Sequence, residues 1–271
     1  MNQKIQSAKS EKTTPGMISL LQIELIKIRR SHIFWILLIP AVMMWIPSAL
    51  NADVNFRMDN IGITPEHNFF IQGFMGMAWF MIPAALIICT VLLNQTERTN
   101  KGFLKMLSLP VNTGKLCLAK FLIMLLLMAV QMMFTIIFYY AGALLASRLE
   151  NYNFVLGFPY VAGGAAKIYL AIIPMAALFW MLAVLIQTPV FSAGICLASV
   201  VPSVLMINTR LWPFYPMDYP FYMLMTEYGK QAEHIFSTEI QWMPMLPVAG
   251  TVTVLGLLVA CVRFGKADLR L

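Results

Sequence analysis

A chain of 271 residues that is 60% hydrophobic, carries charge at only 11% of its positions and has a mean hydropathy of +0.75 lies outside the range of soluble domains, in which about a quarter of residues are charged. That excludes a water-soluble enzyme or binding module and leaves a polytopic membrane protein. The net charge of +7 does not point to nucleic acid, because the basic residues flank apolar runs and no platform of interleaved aromatic and basic side chains is present.

Residues 1–16 are polar and read as a flexible leader. No small-residue cleavage pattern follows the first apolar run, so that run is expected to remain as a membrane span and not to be removed as a signal peptide. Next comes MISLLQIELIKIRR at 17–30. Helical spacing sets Ile18, Leu21, Leu25 and Ile28 along one face, with Glu24 and Lys27 projecting elsewhere. Residues 17–31 are therefore expected to form a helix lying in the membrane interface. A helix packed on a cytosolic partner would show the same spacing.

A hydrocarbon core about 30 Å thick takes roughly 20 apolar residues of helix. Windows of that kind fall near 33–50, 74–94, 121–147, 168–187, 190–207 and 245–262, which gives an all-α membrane protein with six transmembrane helices in one domain spanning 1–271. The third window is long enough to tilt or to project beyond the bilayer. The fourth and fifth are separated only by Gln187, Thr188 and Pro189 and should form a tight hairpin. No internal repeat is evident.

Lys4, Lys9, Lys12, Lys27, Arg29 and Arg30 precede the first window, Arg98, Lys101, Lys105, Lys115 and Lys120 lie between the second and third, and Arg263, Lys266 and Arg270 follow the sixth. All of these fall on one side of a six-span chain, leaving only Arg57, Arg148, Lys167, Arg210 and Lys230 on the other. The excess of positive charge predicts that both termini are cytoplasmic.

The windows themselves contain no charge; Lys167 and Arg263 stand at span ends, where long side chains snorkel to water. This argues against ion-coupled transport through a buried carboxylate. Gln131 and Thr135, one turn apart on the third span, are candidates for lining a transport path, although an interhelical hydrogen bond is the favoured explanation. Many of the 21 methionines serve as core filler, and they also suit an adaptable wall for varied substrates.

The longest polar interruption, NQTERTNKGFLKMLSLPVNTGKLCLAK at 94–120, has a construction of its own. Glu97 and Arg98 follow the second span. Phe103, Leu104, Met106 and Leu107 then form a helix-compatible apolar cluster between and beside Lys101 and Lys105, and Pro110 stops it. Asn112 or Thr113 is placed to cap the next helix. A short amphipathic helix between two spans would act as a lever on both, whereas a solvated loop obeying charge asymmetry would have the same composition. Residues 95–119 are taken as a cytoplasmic coupling segment.

On the other side, 208–244 is the largest segment between spans. LWPFYPMDYPFY within it alternates proline with aromatics, so broken or re-entrant helices are expected, with Trp212, Tyr215, Tyr219 and Tyr222 at the headgroup level. An external loop with aromatic anchors is the plainer reading.

Enzyme signatures are missing. His32, His67 and His234 are scattered, Asp218 is a lone acid in the proline-rich segment, and Cys89, Cys117, Cys196 and Cys261 show no metal or redox spacing. NTGKL at 112–116 lacks the first glycine and the Ser or Thr of a phosphate-cradling loop. No catalytic residue, cofactor or metal is expected in this chain, and any ATP must be bound elsewhere.

Glu97, the basic and glycine residues after it, and LKMLSLPVNTGKLCLAK together resemble the cytoplasmic loop of type-2 ABC exporter permeases, in which an acid after span two precedes a short coupling helix and a lysine opens span three. The size and LWPFYPMDYP resemble more narrowly the permeases of lantibiotic immunity and bacitracin-type export systems. The resemblance implies a multi-pass permease of a bacterial plasma membrane, paired with a second permease, identical or homologous. It also implies two copies of a cytoplasmic ABC ATP-binding subunit carrying ATP and Mg. Glu97, Arg98, Lys101, Phe103, Leu104, Lys105, Leu107 and Pro110 would then dock that subunit, apolar anchors giving affinity and rim charges orientation. The implied cargo is an amphiphilic peptide antibiotic or a lipid-like compound, and membrane lipid is the surrounding partner. The alternatives are an ion-coupled secondary transporter or channel, or a membrane scaffold that binds a toxin without transporting it.

Overall fold

The computed structural model describes residues 16–29, 31, 33–98, 112–186, 188–232 and 239–264. Their secondary structure is helical, with no strand among the described residues. In chain order the helices are α1 (Met17–Arg29), α2 (Ile33–Leu50), α3 (Pro65–Gly76), α4 (Ile82–Arg98), α5 (Thr113–Glu150), α6 (Phe158–Leu185), α7 (Pro189–Val200), α8 (Ser203–Met206), α9 (Tyr219–Gln231) and α10 (Trp242–Phe264). Ala52–Ile61 and Trp212–Phe214 are 3-10 turns. Six stretches are long and apolar enough to cross a bilayer, namely Ile33–Leu50, Pro65–Gln95, Thr113–Glu150, Phe158–Leu185, Pro189–Met206 and Trp242–Phe264. Each overlaps one sequence window. Because successive spans cross in opposite directions, α1, the α4–α5 connection, the α6–α7 link and the end of α10 share one end of the bundle, called here the basic end.

The second span starts at Pro65, earlier than the window at 74, because its first turns carry Glu66, His67, Asn68 and Gln72 and these dilute its hydropathy. Asn68 is nevertheless buried, donating to the Asn55 Oδ1 at 2.9 Å. Midway, α3 passes into α4 through a π-helical turn at Met77–Met81. Pro83 has no N–H to give to the carbonyl four residues back, and the ladder widens just ahead of it.

Trp45 on α2 is the hub at the opposite end. Its ring lies 5.2 Å from that of Tyr139 on α5 and 5.6 and 5.5 Å from those of Phe69 and Phe74 on α3. The Tyr139 hydroxyl in turn donates to the Phe154 carbonyl and accepts from the Leu156 N–H, fastening the α5–α6 connection. That connection begins at Asn151, whose φ of 51° places it in the left-handed region that asparagine tolerates better than most residues.

Of all the helices α5 is the longest, at 38 residues, and it touches α1, α2, α4, α6 and α10. Asn112 caps it, its Oδ1 accepting from the Gly114 and Lys115 N–H groups at 3.0 and 3.2 Å, as the sequence suggested. On the far side α10 lies along α6. A Cβ added at Gly256 would sit 3.3 Å from the Ala177 carbonyl oxygen, so this crossing depends on a residue with no side chain.

Proline breaks the segment before the last span into the Trp212–Phe214 turn and α9. Tyr219 and Tyr222 are buried and Trp212 and Tyr215 half-buried, while Phe214 is exposed. Tyr219 is fully buried and donates to the Pro213 carbonyl, Trp212 stacks on Tyr222 at 4.0 Å, and Tyr215 donates to the Ser199 carbonyl. The Pro213 carbonyl, left without a helical partner, is satisfied by the Tyr219 hydroxyl, and the Tyr215 hydroxyl satisfies a carbonyl in the last turn of α7.

Candidate functional site

Segment 99–111, with Lys101, Phe103, Leu104, Lys105, Leu107 and Pro110, lies outside the described residues, as do the side chains of Glu97 and Arg98, whose backbone completes α4. What the structure describes is the pair of helix ends that bound it. Both are tied into the bundle, by different bonds.

On the incoming side, α4 is tied to α6 where the Asn94 side chain donates to the Ala183 carbonyl, and it packs against α7. On the outgoing side, Lys120 sits two turns into α5 with its side chain at 0% exposure. Its Nζ lies 2.8 Å from the Glu24 Oε2 on α1 and 3.3 Å from the Leu93 carbonyl on α4. Glu24 also accepts from Lys27 at 2.7 Å. One buried ion pair thus joins α1, α4 and α5. Burial raises the Glu24 pKa, but the charge and hydrogen bond of Lys120, with those of Lys27, outweigh it and hold the carboxyl below its ordinary value.

A second tie connects the start of α5 to α6: the Trp180 Nε1 donates to the Cys117 Sγ at 3.3 Å, and the Trp180 ring stacks on Phe264 at the end of α10. The helix ends on either side of 99–111 are thus bonded to α1 and α6 and packed against α7, with Trp180 of α6 stacked in turn on α10.

The buried pair changes one position of the expected α1 face, since Glu24 turns into the bundle and not away from it. Leu20, Glu24 and Ile28 are its buried residues, while Ile18 is 74% exposed and Leu25 also faces outward. The deciding fact is the position of Lys120, since a buried ammonium needs a carboxylate and α1 supplies its only acid. The sequence window for the third span began one residue past Lys120 and so missed a charge inside a spanning helix. The surviving signal was a lone acid among the apolar residues of 17–30.

Gln131 and Thr135 on α5 are both at 0% exposure. The Thr135 hydroxyl donates to the Gln131 carbonyl within the same helix, and the Gln131 carboxamide has no hydrogen-bond partner among the described residues. Within this single chain the pair borders no open surface.

Two further features lie at the opposite end. An apolar cleft of about 420 Å³ opens between α6, α9 and α10, with Lys167 at its rim and Pro174, Tyr219 and Gly250 among its walls. Nearby in sequence to Tyr219, Asp218 precedes α9 without capping it; its carboxyl is fully buried and neither oxygen has a hydrogen-bond partner among the described residues. Burial pushes its pKa up to about 8. No group of three His, Cys, Asp or Glu side chains suited to a metal gathers among the described residues.

One protein-family model, described as ABC-2 family transporter protein, matches residues 20–203. The match runs from α1 to the first residue of α8 and takes in the coupling segment and both of its anchored ends. No curated protein and no solved structure matches the chain.

Proposed function

The chain belongs to the ABC-2 family of transporter proteins, and on that premise we propose that it is the permease of an ATP-driven exporter that expels amphiphilic peptides, as in lantibiotic immunity, or lipid-like compounds. It is a multi-pass protein of the plasma membrane and a transport subunit. In the proposed reading the basic end is cytoplasmic, segment 95–119 docks a separate ABC subunit that binds ATP and Mg, and two such subunits serve this chain and a second permease. Glu97, Arg98, Lys101, Phe103, Leu104, Lys105, Leu107 and Pro110 supply the docking surface.

The observation that carries this reading is the fastening of both ends of 99–111. A solvated loop would need no buried ion pair at its exit and no tie to a neighbouring span at its entrance. A lever needs both, because a push on an element with slack ends is absorbed locally. The six apolar windows hold no charged side chain, the buried Lys120 lying just outside the third, and that suits an amphiphile better than a hydrated ion.

The test is co-purification with the co-expressed ATP-binding subunit. Replacing Phe103→Asp and Leu107→Asp together places charge in the apolar anchor and is expected to reduce recovery of the ATPase about tenfold or more, with membrane insertion unchanged. Undiminished recovery would reject the docking assignment, and solute pumping by the chain alone down an imposed ion gradient would reject the exporter reading.

A further inference from the structure

We propose that the cleft between α6, α9 and α10 binds one anionic phospholipid from the leaflet opposite the basic end, with the headgroup at Lys167 and one acyl chain between α6 and α10. The site is separate from the coupling segment and does not depend on what the exporter carries.

Two residues shape the cleft. Pro174 cannot donate to the Leu170 carbonyl, so α6 lacks a rung of its ladder where both residues line the cleft. Facing them on α10 is Gly250, and a Cβ added there would meet nothing within 4 Å. The missing rung and the missing side chain leave a gap between two helices that pack closely further along, at Gly256.

Its length and wall chemistry match one leaflet. The lining runs along α10 from Trp242 to Val254, a rise of about 18 Å of helix, against about 15 Å for half of a 30 Å hydrocarbon core. Leu170, Trp242, Leu246 and Val254 are exposed, so the cleft opens sideways towards lipid. At about 420 Å³ it lies at the small end of ligand pockets, with room for a chain and none for a folded peptide.

The charge at the rim selects the headgroup. Lys167 lies 3.7 Å and Lys230 3.5 Å from the same Glu227 Oε2, and the Tyr160 hydroxyl donates to Glu227 at 2.9 Å. One carboxylate between two ammonium groups leaves a net positive charge. The Lys167 side chain, 42% exposed, keeps donors for a phosphate, and Trp242, an aromatic of the kind that marks the headgroup region, lines the same cleft.

The full-length chain, delipidated in detergent, is titrated with phosphatidylglycerol and with phosphatidylcholine of the same acyl chains, and bound lipid is read by native mass spectrometry. Phosphatidylglycerol is expected to bind once per chain and about fivefold more tightly than phosphatidylcholine, the worth of one lysine near an anionic lipid. Lys167→Gln should erase that preference while leaving phosphatidylcholine binding in place, since Glu227 keeps Lys230 and Tyr160. Gly250→Phe, which enters empty space, should abolish binding of both lipids without lowering the thermal unfolding temperature. Equal affinity for the two lipids in the unaltered chain, lipid retained by Gly250→Phe, or a cleft closed by a second copy so that Gly250→Phe only dissociates a dimer, would each overturn the assignment.

Discussion

At the scale of single residues, the two buried carboxyls behave in opposite ways because their neighbours differ. Glu24 has two ammonium partners and is held in its charged form, so its contribution is complete above the ordinary carboxylate pKa and is lost as pH falls through its lowered one. Removing its main partner strands it. Lys120→Met is expected to cost about 3 kcal/mol in denaturant unfolding, at the lower end for a broken buried pair because Lys27 stays in place. The double change Glu24→Gln with Lys120→Met should recover most of that loss, and a double variant as unstable as the single one would show that the pair is not the origin of the effect. Asp218 has burial and no hydrogen-bond partner among the described residues. Its folded pKa of about 8 stands above the ordinary aspartate value of 3.8, so between those values the folded state holds more protons than the unfolded one and stability falls as pH rises. Thermal unfolding of Asp218→Asn in detergent should therefore show a flatter decline between about pH 4 and pH 8 than the unaltered chain. An unchanged slope would assign the dependence to other groups. Neither behaviour was legible in the sequence, where Glu24 looked like the solvated side of an amphipathic helix and Asp218 like a loop acid. Their partners, or the lack of them, depend on residues as far apart as 24 and 120.

Elements fared better than residues, because what makes a span is local. An apolar run of the right length predicts a helix whatever surrounds it, and each window near 33–50, 74–94, 121–147, 168–187, 190–207 and 245–262 overlaps an observed spanning helix. Ends failed where polarity and helix coincide: α3 begins among Glu66, His67, Asn68 and Gln72, and from outside the element Asn55 of the 3-10 turn at Ala52–Ile61 accepts from Asn68 and Tyr152 donates to Glu66. The α5 start was legible from Asn112, since a cap bonds only to its own helix. Packing between elements was not legible, and the α6–α10 crossing illustrates it. Gly256 touches a backbone carbonyl that cannot step aside, so Gly256→Leu should lower stability by about 2 kcal/mol by overpacking. Gly194→Leu on α7, where a Cβ meets nothing within 4 Å, is the control and should leave thermal unfolding nearly unchanged. Equal effects from the two would remove the crossing as the cause.

At the scale of the molecule, orientation is the property that charge alone predicts. With the native cysteines replaced by alanine, a cysteine at Asn51 should react with a membrane-impermeant maleimide in intact cells, and one at Gly16 only after permeabilisation; the reverse pattern would invert the assignment of the basic end. Composition and hydropathy were enough to determine a six-span helical membrane protein, because the cost of placing polar backbone and charge in hydrocarbon acts on each stretch of chain separately. The pattern from Glu97 to Lys120 sufficed for the family resemblance, since it is contiguous. Only the tertiary structure decided that α1 buries its acid against Lys120, that both helix ends around 99–111 are fastened, and that an apolar cleft with a cationic rim opens between α6, α9 and α10. Each of these pairs groups far apart in the sequence, and a buried charge or an unfilled gap has its energy set by whatever the fold brings beside it.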